Sequence, residues 1–314
     1  MRLLYIYKKN SIRDIFFLIL YCVSFSSAFF EQEFLAPNSA SLGGGYHTFM
    51  GDSDIMFYNP AGIGYLVDNN IVFAYQRPFM GLSNVNIVQN MASISIPLSK
   101  NQNIGLGRYL FDYNTFVKEN MFQATYARSL YGRNVFVGMS VKKYILKFSD
   151  IPRDFLDPTL FVLDNTYEAS SVDIGAFFIK EPGFVSGVSI INLYPKKIYG
   201  EIGVDTTVRA GFSWNKYNFV SGSGFFFPIM SITYNKSDEL NIGLAGATII
   251  ANKLAIRFGA NLNYFGAGVS FGEGIMQRPF RTKKKYWSFD YNISTVWNDP
   301  GVWLDHRICV NLKY

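Results

Sequence analysis

The chain has 314 residues, of which 49% are hydrophobic and only 17% charged, with Phe 30 and Tyr 21 among them. Charge is sparse for a soluble domain, and the lack of a second long apolar run excludes a helical membrane protein. The net charge of +6 includes a basic N-terminus and a late cluster, Arg278, Arg281, Lys283, Lys284 and Lys285, so it does not by itself argue for nucleic acid.

Residues 1–28 read as a signal peptide. Arg2, Lys8, Lys9 and Arg13 precede the apolar run Ile15 to Phe25, and Ser26, Ser27 and Ala28 offer small side chains to a peptidase. The run is too short for a permanent anchor, which needs about 20 apolar residues. Cys22 follows Tyr21, where a lipoprotein site wants a small residue. Cleavage after Ala28 leaves Cys309 alone, so no intramolecular disulfide holds the mature chain.

The segment from Ser39 to Leu66, SASLGGGYHTFMGDSDIMFYNPAGIGYL, comes next. Gly43, Gly44 and Gly45 permit positive φ and close approach of other chain. Asp52 is placed to cap a short helical run from Ser53 to Phe57, which Pro60 should end by disfavouring helical angles at Asn59. The Asn59 amide can bond the backbone of its own turn. The expectation is a turn, a short helix and a second turn.

These residues, Ala40 to Gly45, Asp52 to Asp54, and above all Tyr58, Asn59, Pro60, Ala61 and Gly62, resemble the N-terminal signature of the FadL-like outer-membrane proteins. That family includes the PorV and PorQ secretion-associated proteins and spirochaete relatives. The resemblance implies an all-β fold, a transmembrane antiparallel β-barrel of about 14 strands whose lumen holds an N-terminal plug segment. Residues 29–70 would be the plug and 71–314 the barrel. Asn59, Pro60, Ala61 and Gly62, with Gly43, Gly44 and Gly45, would fix it. Phe49, Met50, Ile55, Met56 and Phe57 are candidate apolar ligand contacts, with packing against the wall as the plainer reading.

From Ile71 onward, strand-like runs alternate in parity. Trp287, Phe289, Tyr291 and Ile293 oppose Ser288, Asp290, Asn292 and Ser294; Val208, Ala210, Phe212 and Trp214 oppose Arg209, Gly211 and Ser213. Ile256 and Phe258 oppose Arg257 and Gly259 in the same way, and Val172 and Ile174 oppose Ser171 and Asp173. A soluble sandwich also alternates, but its strands fill about 100 residues, and these continue for far longer with no linker. A closed barrel accommodates them without an unpaired edge. The polar parity, with Asp173, Arg209, Asn241, Arg257, Asn261, Asp290, Asn292 and Arg307, is expected to face a lumen of mixed sign. Trp214, Tyr217, Trp297 and Trp303 suit interfacial girdles.

Tight reversals are expected at Ser99 to Gln102, Tyr131 to Arg133, Glu181 to Gly183 and Asn215 to Tyr217, with a long connection from Ser149 to Thr166. A tight connection near Asn263 and a long one from Gly272 to Lys285 break the rule of short inner turns and long outer loops. Either the late strands need recounting or the basic loop belongs to the inner face. At the end, Ile308, Val310, Leu312 and Tyr314 share one parity, and the aromatic terminus resembles the strand by which such barrels are recognised for assembly. Cys309 should point inward.

Little catalytic chemistry is in sight. His47 and His306 lack ligand partners at metal spacing, Ser221 and Ser223 sit in a glycine-flanked strand-like run rather than an elbow, and no phosphate loop occurs. No enzyme activity, metal or cofactor is expected. The expectation is a bacterial outer-membrane barrel that transports a small hydrophobic or amphipathic compound, with membrane lipid and the barrel-assembly machinery as partners and no nucleic acid. An interaction barrel like PorV or PorQ, serving a secretion-system protein, is the alternative, favoured by outer loops too short for an external fatty-acid platform. A secreted soluble β-protein is a third.

Overall fold

The computed structural model describes residues 36–48, 51–78, 86–113, 117–130, 134–149, 166–180, 183–193, 197–199, 202–214, 217–220, 224–235, 239–250, 253–273, 285–296 and 305–314. The strands are β1 (Asn70–Arg77), β2 (Ile87–Ser99), β3 (Gln102–Tyr113), β4 (Val117–Leu130), β5 (Val135–Phe148), β6 (Thr166–Lys180), β7 (Phe184–Ile191), β8 (Lys197–Tyr199) and β9 (Ile202–Gly203). They continue as β10 (Thr207–Trp214), β11 (Tyr217–Val220), β12 (Gly224–Asn235), β13 (Glu239–Ile250), β14 (Leu254–Ala260), β15 (Tyr264–Glu273), β16 (Tyr286–Val296) and β17 (Asp305–Lys313).

All but β8 and β9 join one antiparallel sheet of 15 strands. It closes on itself, because β1 pairs with β17 from Asn70↔Lys313 to Arg77↔His306 and β10 pairs with β12. Both β10 and β11 lie along the same edge of β12, through Thr207↔Asn235 to Ser213↔Ile229 and then Tyr217↔Phe226. They occupy one place in the circumference, so the barrel has 14 strands, of which the eighth is interrupted.

That interruption corrects one expected reversal. The chain does not turn back at Asn215 to Tyr217; it continues along β12 and reverses between Val220 and Gly224, so Ser221 and Ser223 join two strands and lie outside the described residues. The strand after the interruption still finds a partner because β12 is long enough to pair with both pieces. The total and the parity are unchanged. Asn70, Tyr286 and Lys313 mark one end of the barrel, and residues 100–101, 131–134, 181–183, 221–223 and 251–253 join strands at that same end. By the usual asymmetry of such barrels it is the periplasmic end. The basic connection 274–285 belongs to it as well, and the tight Asn261–Asn263 hairpin belongs to the other. Both departures therefore belong to the molecule and not to the count.

Alternation sorts the side chains. Phe73, Leu106, Val141, Leu244, Phe258 and Phe289 stand exposed on the outer wall, while Ser95, Gln123, Asp173, Arg257, Asn292 and Asn311 are buried within. An outer face this apolar is unfavourable in water and favourable against acyl chains. The protein is a transmembrane barrel of the bacterial outer membrane. Trp214, Trp287 and Tyr314 lie on the outer face near the periplasmic end, where an aromatic girdle belongs. Trp297, Trp303 and the side chain of Tyr217 lie outside the described residues. The expected inward residues are buried, Asn261 only partly, and Cys309 points inward.

Candidate functional site

Residues 36–48 and 51–66 lie against the inward faces of the strands and are almost wholly buried. The segment begins with a short helix α1 (Pro37–Ser41) and continues as three tight 3-10 turns, Gly45–Thr48, Ser53–Phe57 and Pro60–Tyr65. The run from Ser53 ends before Asn59, as expected, but helical winding resumes at once. Pro60 supplies the preset φ of a first helical position and lacks only an N–H that would have no partner there.

Asn59 holds this second turn in two directions. Its Oδ1 accepts from Ala61 N–H at 3.1 Å, and its Nδ2 donates to the carbonyls of Ala176 (3.2 Å) and Val188 (3.3 Å), on β6 and β7. The motif can reach the wall because Gly138 and Gly175 face each other across β5 and β6. A Cβ at Gly138 would stand 2.5 Å from Ala61 N, and one at Gly175 would overlap Asn59 Oδ1. Beside it, Ser189 Oγ donates to Tyr58 O at 2.7 Å, and the Arg209 guanidinium lies over the Tyr58 ring at 5.1 Å. Burial pushes the Tyr58 phenol up to about 12, so it stays neutral while its oxygen accepts from Ala36 N–H at 2.8 Å.

A second grip lies on β13 to β15. Gly43 and Gly44 take φ of 54° and 83°, which turns the chain sharply enough to lay Leu42 and Gly43 on the wall. Their seat is another facing glycine pair, Gly259 and Gly266, where a Cβ would run into Leu42 and into Ala40 O respectively. Asn261 Nδ2 donates to Gly43 O at 3.3 Å. Arg257 donates through Nε to Ser41 Oγ at 3.3 Å and stands 3.6 Å from Asp290, both nearly sealed from solvent.

A third contact lies at the seam where first and last strands meet. Ser53 N–H donates to Asn70 Oδ1 at 2.6 Å, and Asn70 Nδ2 donates to Asn311 Oδ1 at 2.9 Å. Asp52 precedes the Ser53 turn as expected, yet makes no capping bond with its side chain. Its carboxylate instead accepts a short hydrogen bond from Tyr286 OH, an inward phenol that outcompetes the backbone amide.

Among the candidate ligand contacts, Ile55, Met56 and Phe57 are completely buried. Met56 and Phe57 pack over Gly105 and Gly107 on β3, and Gln123 Nε2 donates to Met56 O at 2.8 Å. They line a packed contact with the wall. Phe49 and Met50 lie outside the described residues. Ile308, Val310 and Leu312 face outward on β17, as their parity requires.

The interior also holds a pair that sequence reading passed over: Lys142 Nζ stands 2.8 Å from Asp173 Oδ2, both fully buried. Asp173 further accepts from Asn192 N–H at 2.8 Å, and Tyr144 OH donates to Asn192 Oδ1 at 2.6 Å. Alternation with Ser140 and Tyr144 would have turned Lys142 inward, but its neighbour Lys143 masks the signal.

No protein-family model and no curated protein matches the chain. Solved structures do. The toluene transporter TodX of Pseudomonas putida superposes with a TM-score of 0.57 at 8% identity, covering 90% of this chain and 99% of that one. The monoaromatic hydrocarbon channel CymD gives 0.55 at 11% identity, covering 88% and 96%. At such identities the likeness establishes a shared fold.

Proposed function

We propose that the protein is a FadL-like outer-membrane transporter of small hydrophobic compounds, with residues 29–70 as its plug. The observation that carries the reading is the Asn59 grip: an Asn-Pro-Ala turn bonded to barrel carbonyls over a pair of glycines, inside a barrel whose fold is shared with hydrocarbon channels. The packed interior argues against an open aqueous pore. It suits a solute that leaves water at the external mouth and moves past a displaceable stopper.

Permeation of toluene through proteoliposomes, compared with that of glucose as a polar solute, tests the reading. Wild type should pass toluene faster than protein-free vesicles and exclude glucose; equal rates with and without protein would overturn it. Asn59→Ala should loosen the plug, visible as faster amide exchange across residues 53–65.

The complete burial of Ile55, Met56 and Phe57, together with the few residues that separate β3 from β4, β12 from β13 and β14 from β15 at the external end, favours a second reading, an interaction barrel like PorV or PorQ. Copurification with a secreted or secretion-machine protein, without toluene permeation, would select it.

A further inference from the structure

The outer wall is not uniform in charge. Among the described residues, the outward Lys and Arg side chains of the barrel strands lie on β1 to β6, and those near the external end are Arg77, Arg108, Lys118, Lys143 and Lys147. Only two carboxylates accompany them: Asp112, 3.4 Å from Lys118, and Glu168, 2.9 Å from Lys143. From β7 to β17, among the described residues, the same face is apolar or neutral but for Glu273 at the periplasmic end.

Arg108 is the deepest of these cations. It donates to the neutral amide oxygen of Asn120 at 2.9 Å, lies over the Phe122 ring at 5.4 Å, and meets no carboxylate among the described residues. A cation on the lipid face costs roughly 2–4 kcal/mol at the bilayer midplane and much less near the interface, so its position calls for a counter-charge from the leaflet itself. Phe122 pairs with Arg108 on one side and Lys143 on the other, which places the backbones of the two basic residues about 10 Å apart at two strand spacings. Two long side chains can converge on one anion over that distance.

Below them the wall is hollowed. A groove of about 670 Å³ runs past Ile94, Leu106, Phe122 and Val141, with Arg108 and Lys143 at its rim. A second, of about 390 Å³, shares Arg108, Phe73 and Ala92 but extends past Tyr75, Asn90 and Leu110 toward the external end, so it flanks the cation and does not lie below it. An apolar groove leading down into the membrane from a cationic rim matches an amphiphile with an anionic head. The forked guanidinium favours phosphate, which it meets with two parallel hydrogen bonds.

We propose that the β1–β6 wall carries a specific site for a phosphate-bearing lipid of the external leaflet, its headgroup held by Arg108 and Lys143 and an acyl chain laid in the larger groove below them. A soluble partner cannot occupy a groove that faces acyl chains. The site is independent of whether a solute crosses the barrel.

Native mass spectrometry of the full-length protein in uncharged detergent, supplied with equal dioleoyl phosphatidylglycerol and dioleoyl phosphatidylcholine, tests this. Wild type should retain phosphatidylglycerol at least about fivefold over phosphatidylcholine, the preference expected per engaged cation. R108Q should remove most of that preference, R108K should keep only part of it because the charge stays and the fork is lost, and K180Q at the opposite end should leave it unchanged. Equal retention of the two lipids by wild type overturns the proposal. So does an R108Q protein indistinguishable from K180Q, or release of the lipid by millimolar inorganic phosphate alone, which would mark a bare anion site that does not use the groove. Should R108Q fail to assemble, the wild-type ratio and its fall in K143Q decide.

Discussion

The interior segment meets the wall at two glycine pairs, and the two grips are built differently. At Gly138 and Gly175 a side chain, Asn59, spans from its own turn to the carbonyls of two barrel strands. At Gly259 and Gly266 the segment's backbone lies directly on the wall, turned by positive φ at Gly43 and Gly44 and tied by one long amide bond from Asn261 and a hydrogen bond from Arg257 Nε to Ser41 Oγ, the guanidinium itself resting beside Asp290. In both, the wall gives way to the segment by losing a Cβ on facing strands. The first grip is directional and depends on one residue; the second spreads over shape and a buried charge.

The buried charge should give the largest effect. Arg257→Met removes the guanidinium beside Asp290 and Ser41, and stranding a buried carboxylate costs about 3–5 kcal/mol. Urea unfolding in detergent should show a loss of that order, and an Arg257→Met, Asp290→Leu double variant should recover much of it. A single variant as stable as wild type would mean that the second grip depends on shape alone.

Next in size is Gly175→Val. The new side chain would collide with Asn59 and Pro60, which cannot retreat because Ala61 sits equally close to Gly138. Overpacking of this kind costs about 1–3 kcal/mol, and the strain should concentrate in the segment, raising amide exchange across residues 53–65 while the strand ladder stays protected. Exchange that rises equally in β5 and β6 would show the wall, and not the segment, to be the yielding part.

Asn59→Ala should cost about 2 kcal/mol, since it deletes three hydrogen bonds worth roughly 0.5–1.5 kcal/mol each. Asn59→Asp keeps the acceptor for Ala61 N–H but loses the donor to Ala176 and Val188. It should fall to a similar level if the wall bonds dominate, and stay near wild type if the local turn does.

Much of this was legible beforehand and some could not have been. A period of two separates Arg257, Asp290 and Asn292 from Ile256, Phe289 and Tyr291 without any knowledge of partners, so facing and strand number follow from the chain. The Asn59 turn was legible because Pro60 constrains it locally. Asp52 was misassigned because its partner, Tyr286, is distant in sequence and competes with the amide that a local reading offers. Gly138 and Gly175 carry no local mark at all: each is one more small residue in a strand, and their role exists only when two strands and the segment come together. The reversal after Val220 was hidden for the same reason, as only pairing with β12 distinguishes an interrupted strand from two.

The smallest expected effect separates the grips most cleanly. Asn261 donates to Gly43 O at 3.3 Å, but its Oδ1 also accepts from Asn263 N–H at 2.8 Å and Tyr264 N–H at 2.7 Å, shaping the β14–β15 hairpin. Asn261→Ala should therefore cost about 1 kcal/mol, mostly through the hairpin. Amide exchange should quicken at residues 262–265 and scarcely change at Leu42 to Gly45, where the backbone still rests on Gly259 and Gly266. If exchange at Leu42 to Gly45 rose as much as exchange at 59–65 does in Asn59→Ala, the single amide would be holding the second grip too, and the distinction between a directional clasp and a shaped seat would fail.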